Sequence, residues 1–172
     1  MVDDVYVEYM VEREKSGRQK FGKIALIALG VITVIVAVVA FPFIQAFSFL
    51  GAVAILFAIW WFIKSWNVEY EYTFTSGELV IEKVIDKSRR KGIASLDTGC
   101  IELVAPEKAY QLDSYRNNPE MKWKDFSSHR PDAEKYAVVY ADSAEKAVYL
   151  IEVSEKMLNA MRQVSPRKVV MK

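Results

Sequence analysis

The densest cluster of chemically active side chains is a basic run at residues 87–91. Four of its five residues are cations, namely Lys87, Arg89, Arg90 and Lys91. A cation near an anionic membrane surface contributes about 1 kcal/mol of attraction, less when salt screens it. The run fits three interpretations: contact with lipid headgroups, a specific lipid or protein ligand, or a solvated hairpin turn.

The chain contains few of the residue types that catalysis commonly uses. Cys100 and His129 are its only cysteine and its only histidine. A thiol nucleophile needs a histidine within hydrogen-bond reach, and a transition-metal site needs more ligands of these types. We therefore predict no catalytic residues, no metal, no cofactor and no intrachain disulfide, with Cys100 as a small buried residue.

A long apolar run indicates that the protein is located in a membrane. The 40 residues from Ile24 to Ile63 contain no ionisable side chain, about twice what one helix needs to cross a bilayer. We predict one helix over residues 24–41, a turn around Gln45 and a second helix over residues 47–66. No ionisable group within the spans marks an ion path.

The flanks of this run predict its orientation. Aromatic and basic anchors lie at one end of it: Trp60, Trp61, Lys64 and Trp66. Further cations precede it, at Arg13, Lys15, Arg18, Lys20 and Lys23, whereas Phe41, Phe43, Phe47 and Phe49 flank the turn. By the positive-inside rule both termini are cytoplasmic, in a multi-pass protein of the plasma (inner) membrane. A cleaved signal peptide is disfavoured by the charged leader and by the second apolar span.

The segment before the run is amphipathic. Apolar residues recur at helical spacing, at Val2, Val5, Tyr6, Tyr9 and Met10, which predicts a short helix docked on the cytoplasmic domain or on a partner. Val5, Val7, Tyr9 and Val11 also alternate as in a strand, so that alternative stays open.

A β domain is predicted after the membrane segment. Val68, Tyr70, Tyr72 and Phe74 alternate with polar residues, and Ser76-Gly77 is a turn signal before another strand at 78–85. Strands at 91–96 and 100–105 would complete a four-stranded meander. Three more are predicted at 121–126, 136–140 and 146–153.

One helix closes the predicted domain. Ser154 is a suitable N-cap, and an apolar face follows at Met157, Leu158, Met161 and Val164 before Pro166. The domain organisation is thus an N-terminal amphipathic segment (1–22), a two-helix transmembrane hairpin (23–66), a mainly antiparallel β domain of seven strands and one C-terminal helix (67–165), and a C-terminal tail (166–172).

The connection over residues 106–135 is the least regular part of this domain. Its aromatic residues, Tyr110, Tyr115, Trp123 and Phe126, fit either an exposed contact patch or anchors that hold the loop on the domain. An enzyme would require this stretch to line a pocket.

The order of these elements resembles a known superfold. The stretch from Asn67 to Ile81 and the segment Gly92-Ile93-Ala94-Ser95-Leu96 are similar to the pleckstrin-homology (PH) superfold, and the preceding helices resemble uncharacterised small bacterial membrane proteins with a PH-like domain. The resemblance implies a membrane-tethered binding or scaffolding module. Phosphoinositide-binding members use a basic loop between their first two strands; the basic run here follows the second, so that specificity does not carry over.

The predicted function is therefore non-catalytic binding at a membrane. An accessory subunit of a larger membrane complex, with the hairpin as interface, is the first alternative, and an enzyme with a site in residues 106–135 is the weaker one. The expected partners are the bilayer and a membrane or cytoplasmic protein. A nucleic-acid partner is disfavoured, because residues 64–172 carry 18 basic and 17 acidic side chains.

Overall fold

Two long helices interrupt the strands of the fold. The computed structural model describes residues 6–44 and 46–171; Val2, Val5 and Gln45, used in the predictions above, lie outside the described residues. The strands are β1 (Tyr6–Glu12), β2 (Val68–Thr75), β3 (Glu78–Ile85), β4 (Arg89–Asp97), β5 (Ile101–Pro106), β6 (Lys122–Asp125), β7 (Lys135–Ala141) and β8 (Lys146–Glu152). The helices are α1 (Gly17–Ile44), α2 (Ala46–Ser65), α3 (Asp113–Arg116) and α4 (Glu155–Val164), with a 3-10 helix at Tyr110–Leu112.

The N-terminal segment is a strand, and the helix predicted there is wrong. β1 pairs antiparallel with β2 from Tyr6 opposite Thr75 to Glu12 opposite Glu69. Val7 and Val11 point into the core, where they are 5% and 2% exposed. Period-two alternation prevails because β2 offers backbone hydrogen bonds that a helix would leave unused, while the valines find apolar surroundings.

The first sheet has the order β1-β2-β3-β4. Ser76 and Gly77 both have positive φ, 49° and 85°, so the predicted β2–β3 turn is of the primed type that suits the twist of a hairpin. The core side of these strands is formed by Tyr70, Tyr72, Phe74, Leu79, Ile81 and Leu96, all buried.

The predicted four-stranded meander is wrong at its last strand. β5 leaves β4 and joins a second sheet of order β5-β7-β8-β6, in which β6 runs parallel to β8. The corner between the sheets is held by Thr98, whose backbone N–H and side-chain hydroxyl both donate to the Gly77 carbonyl oxygen. The described residues thus form eight strands in two sheets where seven were predicted, because β1 comes from before the helices.

The C-terminal helix and the residues after it complete this unit. Ser154 caps α4 by accepting a hydrogen bond from the Met157 N–H at 3.3 Å, as predicted. The buried face includes Ala160, whereas Val164 is 40% exposed. The predicted tail is docked: Val169 forms a parallel bridge to Val104 and is 7% exposed.

The helices α1 and α2 belong to a separate compact unit, Lys15–Val68. Their segments Gly17–Ala40 and Phe47–Ser65 are long and apolar enough to cross a membrane. The two helices pack on one another at Gly30, where an added Cβ would lie 3.3 Å from Leu56 Cδ2. The bounds differ from the predicted ones, since α1 begins at Gly17 and helical structure resumes at Ala46.

Candidate functional site

The basic run forms the turn between β3 and β4. Asp86 and Lys87 have φ values of 52° and 56°, and the Ser88 N–H donates to the Ile85 carbonyl oxygen at 3.3 Å, which closes a tight turn. The side chains of Lys87, Arg89, Arg90 and Lys91 are all exposed. Because neighbouring strands of this sheet alternate in direction, the turn lies at the sheet end where β1 finishes and β2 begins.

Arg90 is held by a buried carboxylate. Its Nη1 donates to Glu71 Oε1 at 2.7 Å and lies 3.7 Å from Glu82 Oε2. The side chain of Glu71 is 3% exposed, whereas that of Arg90 is 59% exposed. Arg90 therefore reaches from β4 across the sheet, and Glu71 fixes its position.

A second carboxyl group completes this row across the sheet. Glu8 on β1 accepts a hydrogen bond from the Tyr6 hydroxyl at 2.8 Å. Glu71 Oε2 is buried with no hydrogen-bond partner in the described part of the chain, and Glu8 is placed to bond that carboxyl once one of the two groups carries a proton. Burial raises the pKa of Glu71, Glu8 raises it further, and Arg90 opposes both effects.

We expect Arg90→Gln to destabilise the protein by about 1–2 kcal/mol near pH 7, because Glu71 then stays buried and charged without its cation. The loss should shrink on acidification. A carboxyl whose folded-state pKa is raised binds its proton more tightly when folded, so protonation favours the native state as pH falls through that pKa. Thermal unfolding of the purified full chain at about pH 7 and about pH 5 measures the difference.

The matched variant for this experiment is Arg90→Gln combined with Glu71→Gln. It should recover most of the stability near neutral pH and lose the extra pH dependence, because the buried carboxylate at position 71 has been removed. An equal loss at both pH values in the single variant would contradict the assigned role of Glu71.

A groove lies beside this network on the outer face of the first sheet. We call it the end groove; it has a volume of about 350 Å³ and is lined by Met10, Glu12, Glu69, Val84, Lys87 and Arg90. Its walls carry opposite charges, with carboxylates from β1 and β2 and cations from the turn and β4. Met10 and Val84 provide its apolar surface.

Comparison with protein families agrees with this architecture. A family model described as "Bacterial PH-like domain (DUF6106)" matches residues 3–171. This chain belongs to that bacterial PH-like family. The matched range includes β1, both apolar helices and the strands that follow them, so the resemblance predicted from the sequence is confirmed. No curated protein and no solved structure matches the chain.

The long connection of the PH-like domain contains a buried polar turn. Asp125 Oδ1 accepts hydrogen bonds from the Ser127 N–H and hydroxyl, at 2.8 and 2.6 Å. Its Oδ2 lies 3.1 Å from Lys135 Nζ and 3.3 Å from His129 Nδ1. Although its burial opposes the change, these hydrogen bonds and the cation hold the Asp125 pKa below its ordinary value.

This turn has a structural role, because its hydrogen bonds fix the position of the chain and its serine hydroxyls are buried. Ser127 and Ser128 are 0% exposed, so neither hydroxyl is accessible to a substrate. The Ser128 N–H donates to Glu152 Oε1 at 2.5 Å, and its carbonyl oxygen accepts from the Glu14 N–H at 2.7 Å. The turn thereby links β8 to the end of β1. Sequence reasoning missed it, because its partners are distant along the chain.

The aromatic residues of this connection divide between the two predicted roles. Phe126 anchors the loop, with its ring 5.6 Å from that of Tyr70 and 6.1 Å from that of Tyr149. Tyr115 packs against the core of the second sheet. Tyr110 is 78% exposed, and Trp123 is 36% exposed with Arg116 6.0 Å from its ring centroid.

The remaining predictions concern Cys100, the absence of a metal site and the membrane anchors. Cys100 is in the turn before β5 and is half-buried rather than fully buried as predicted. No group of three or more His, Cys, Asp or Glu side chains among the described residues is arranged to hold a metal ion.

Of the predicted membrane anchors, Lys64 lies 4.8 Å from the Trp60 ring centroid and Trp61 is 49% exposed. Trp66 packs against Gly22, where an added Cβ would lie 3.0 Å from its ring.

Proposed function

We propose that this chain is a membrane-anchored, non-catalytic binding module whose PH-like domain works at the cytoplasmic surface. One observation carries the proposal: the two apolar helices are inserted between β1 and β2, two strands that are hydrogen-bonded neighbours in one sheet. An anchor appended to a domain end holds it by one linker, whereas this insertion holds it by two.

The linkers are short. Residues 13–16 join β1 to α1, and residues 66–67 join α2 to β2. An extended chain covers about 3.3–3.6 Å per residue, so these linkers span at most about 14 Å and 7 Å. If the helices span the bilayer, the sheet end that carries the basic turn stays near the headgroups. This supports contact of Lys87, Arg89 and Lys91 with anionic lipids.

The proposed orientation has a direct test in labelling with a membrane-impermeant thiol reagent. In a Cys100→Ser background, a cysteine replacing Gln45 should react in intact cells, because the turn is outside. A cysteine replacing Ser143, which is exposed between β7 and β8, should react only after the membrane is permeabilised. The positive-inside rule predicts this pattern from the cations at both cytoplasmic flanks.

The Cys100→Ser background by itself is the control for nonspecific labelling. The reverse pattern would refute the orientation, and labelling of both positions in intact cells would refute a bilayer-spanning hairpin.

A second candidate function is that of an accessory subunit bound through the helices. One observation favours it: Gly51 and Ala54 are exposed on α2, and an added Cβ at Gly51 would meet nothing within 4 Å. Small residues at an open position let another helix approach closely. Co-purification of a stoichiometric partner in detergent, lost in Gly51→Leu and kept in Phe47→Leu, tests this function.

A further inference from the structure

The end groove contains two acidic residues that face each other without a counter-ion. Glu12 and Glu69 are direct partners in the β1–β2 register. Like charges directly opposite on paired strands repel and destabilise the sheet. Within the described residues, neither carboxylate has an ion pair or a hydrogen bond to a side chain. The repulsion would be relieved by a cation bound between them.

Most of Glu69 is packed against its neighbours in the sheet. The residue is 9% exposed, and it lines the end groove. Because the described residues provide no group of three or more metal ligands, the missing partner is better supplied by an ammonium group than by a metal ion. A primary ammonium has three N–H donors and can serve two carboxylates.

The opposite wall of the end groove suits an anion. Both contacts of Arg90 with carboxylates use Nη1, at 2.7 Å to Glu71 and 3.7 Å to Glu82. Its Nη2 and Nε make no hydrogen bond to another described residue, and guanidinium forks bind phosphate oxygens well. Lys87 adds a second cation from the tight turn. A ligand that matches both walls carries an ammonium at one end and a phosphate at the other.

We propose that the end groove binds a phosphoethanolamine group, with its ammonium between Glu12 and Glu69 and its phosphate on Lys87 and Arg90. The volume of about 350 Å³ is in the range of small-ligand sites. The source is the headgroup of an ethanolamine phospholipid, because the groove lies at the sheet end that continues into α1 and α2. This choice of a lipid source rests on the proposed membrane-surface function. The pairing of the ammonium with the carboxylates and of the phosphate with the cations does not rest on it.

Isothermal titration calorimetry of the full chain in detergent tests the chemistry with soluble headgroup probes. Glycerophosphoethanolamine should bind about tenfold more tightly than glycerophosphocholine, whose quaternary ammonium has no N–H donors, and than glycerophosphoglycerol, which has no cation. Glu69→Gln should remove this preference, and Lys87→Gln should weaken all three probes. Asp132→Asn, an exposed acid away from the groove, is the matched control.

Two results would overturn the pairing: equal affinity for the three probes in the wild-type chain, or an ethanolamine preference that survives Glu69→Gln. Glu69→Gln removes a repulsion, so its thermal midpoint should not fall, and a folded variant is available for the comparison.

Native mass spectrometry of the full chain tests the source. Ethanolamine phospholipid should remain bound in preference to choline and glycerol phospholipids, and Glu69→Gln should abolish the preference. If the soluble probe binds and the protein shows no preference among the three phospholipids, the lipid source is refuted. If thiol labelling supports the membrane orientation while the probes fail to bind, this inference falls and the proposed function stands.

Discussion

A chain that begins at Asn67 is expected to lose cooperative folding, although it contains the whole β domain that the sequence pattern delimits. The truncation removes β1, with the buried side chains of Val7 and Val11 and the strand that pairs with β2. Burying one such side chain contributes about 1.5–3 kcal/mol. Together with the lost backbone ladder, this is comparable to the roughly 5–15 kcal/mol that stabilises a typical domain. Urea titration followed by circular dichroism measures the loss.

The informative control keeps β1 and removes the helices. In this hairpin-free domain, residues 13–68 are replaced by Asn-Gly, which joins Glu12 to its direct partner Glu69 by a two-residue turn. It should unfold in one cooperative transition. If the chain from Asn67 unfolded at the same urea concentration, β1 would not be an integral strand of the domain.

Replacing Lys87, Arg89 and Lys91 by Gln should weaken binding of the hairpin-free domain to anionic vesicles by about 100-fold at low salt. Each cation contributes about 1 kcal/mol near such a surface, and about 3 kcal/mol corresponds to a factor of roughly 100. Arg90 is left in place because its bond to Glu71 supports the sheet. Vesicle co-sedimentation measures the partition coefficient.

The matched control removes the same charge elsewhere. Lys108, Lys122 and Lys156 are exposed on other parts of the domain, and their triple Gln variant should bind about as well as the parent. High salt should reduce the difference between the two triple variants, because charge attraction is screened. Equal binding of both variants at low salt would refute headgroup contact by the turn.

The strong local patterns predicted their elements correctly. The alternation from Val68 to Phe74 and the Ser76-Gly77 signal predicted the β2–β3 hairpin. Ser154 was predicted as the N-cap of the helix that is α4. Each depends on residues within a few positions of one another. The uncharged run likewise produced two apolar helices, because a long apolar segment satisfies its backbone best within helices.

The element before the helices was mispredicted for a non-local reason. The residues from Tyr6 to Glu12 fit a helix about as well as a strand when taken alone, and their partner β2 begins more than 50 residues later. The sheet to which β5 belongs was also mispredicted for a non-local reason. Its pairing with β7 depends on a corner formed by Thr98 and Gly77, which a list of consecutive strands does not reveal.

The sequence by itself determined that the chain has two apolar helices, that β-strands follow them, and that a basic turn comes after the second of those predicted strands. These properties follow from composition and short-range periodicity, which act along the chain. Only the tertiary structure decided that the helices interrupt a sheet, that Glu71 holds Arg90, and that Glu12 faces Glu69 in the end groove. Strand pairing brings these groups together, and the free energy that selects it comes from burying and bonding residues far apart in sequence.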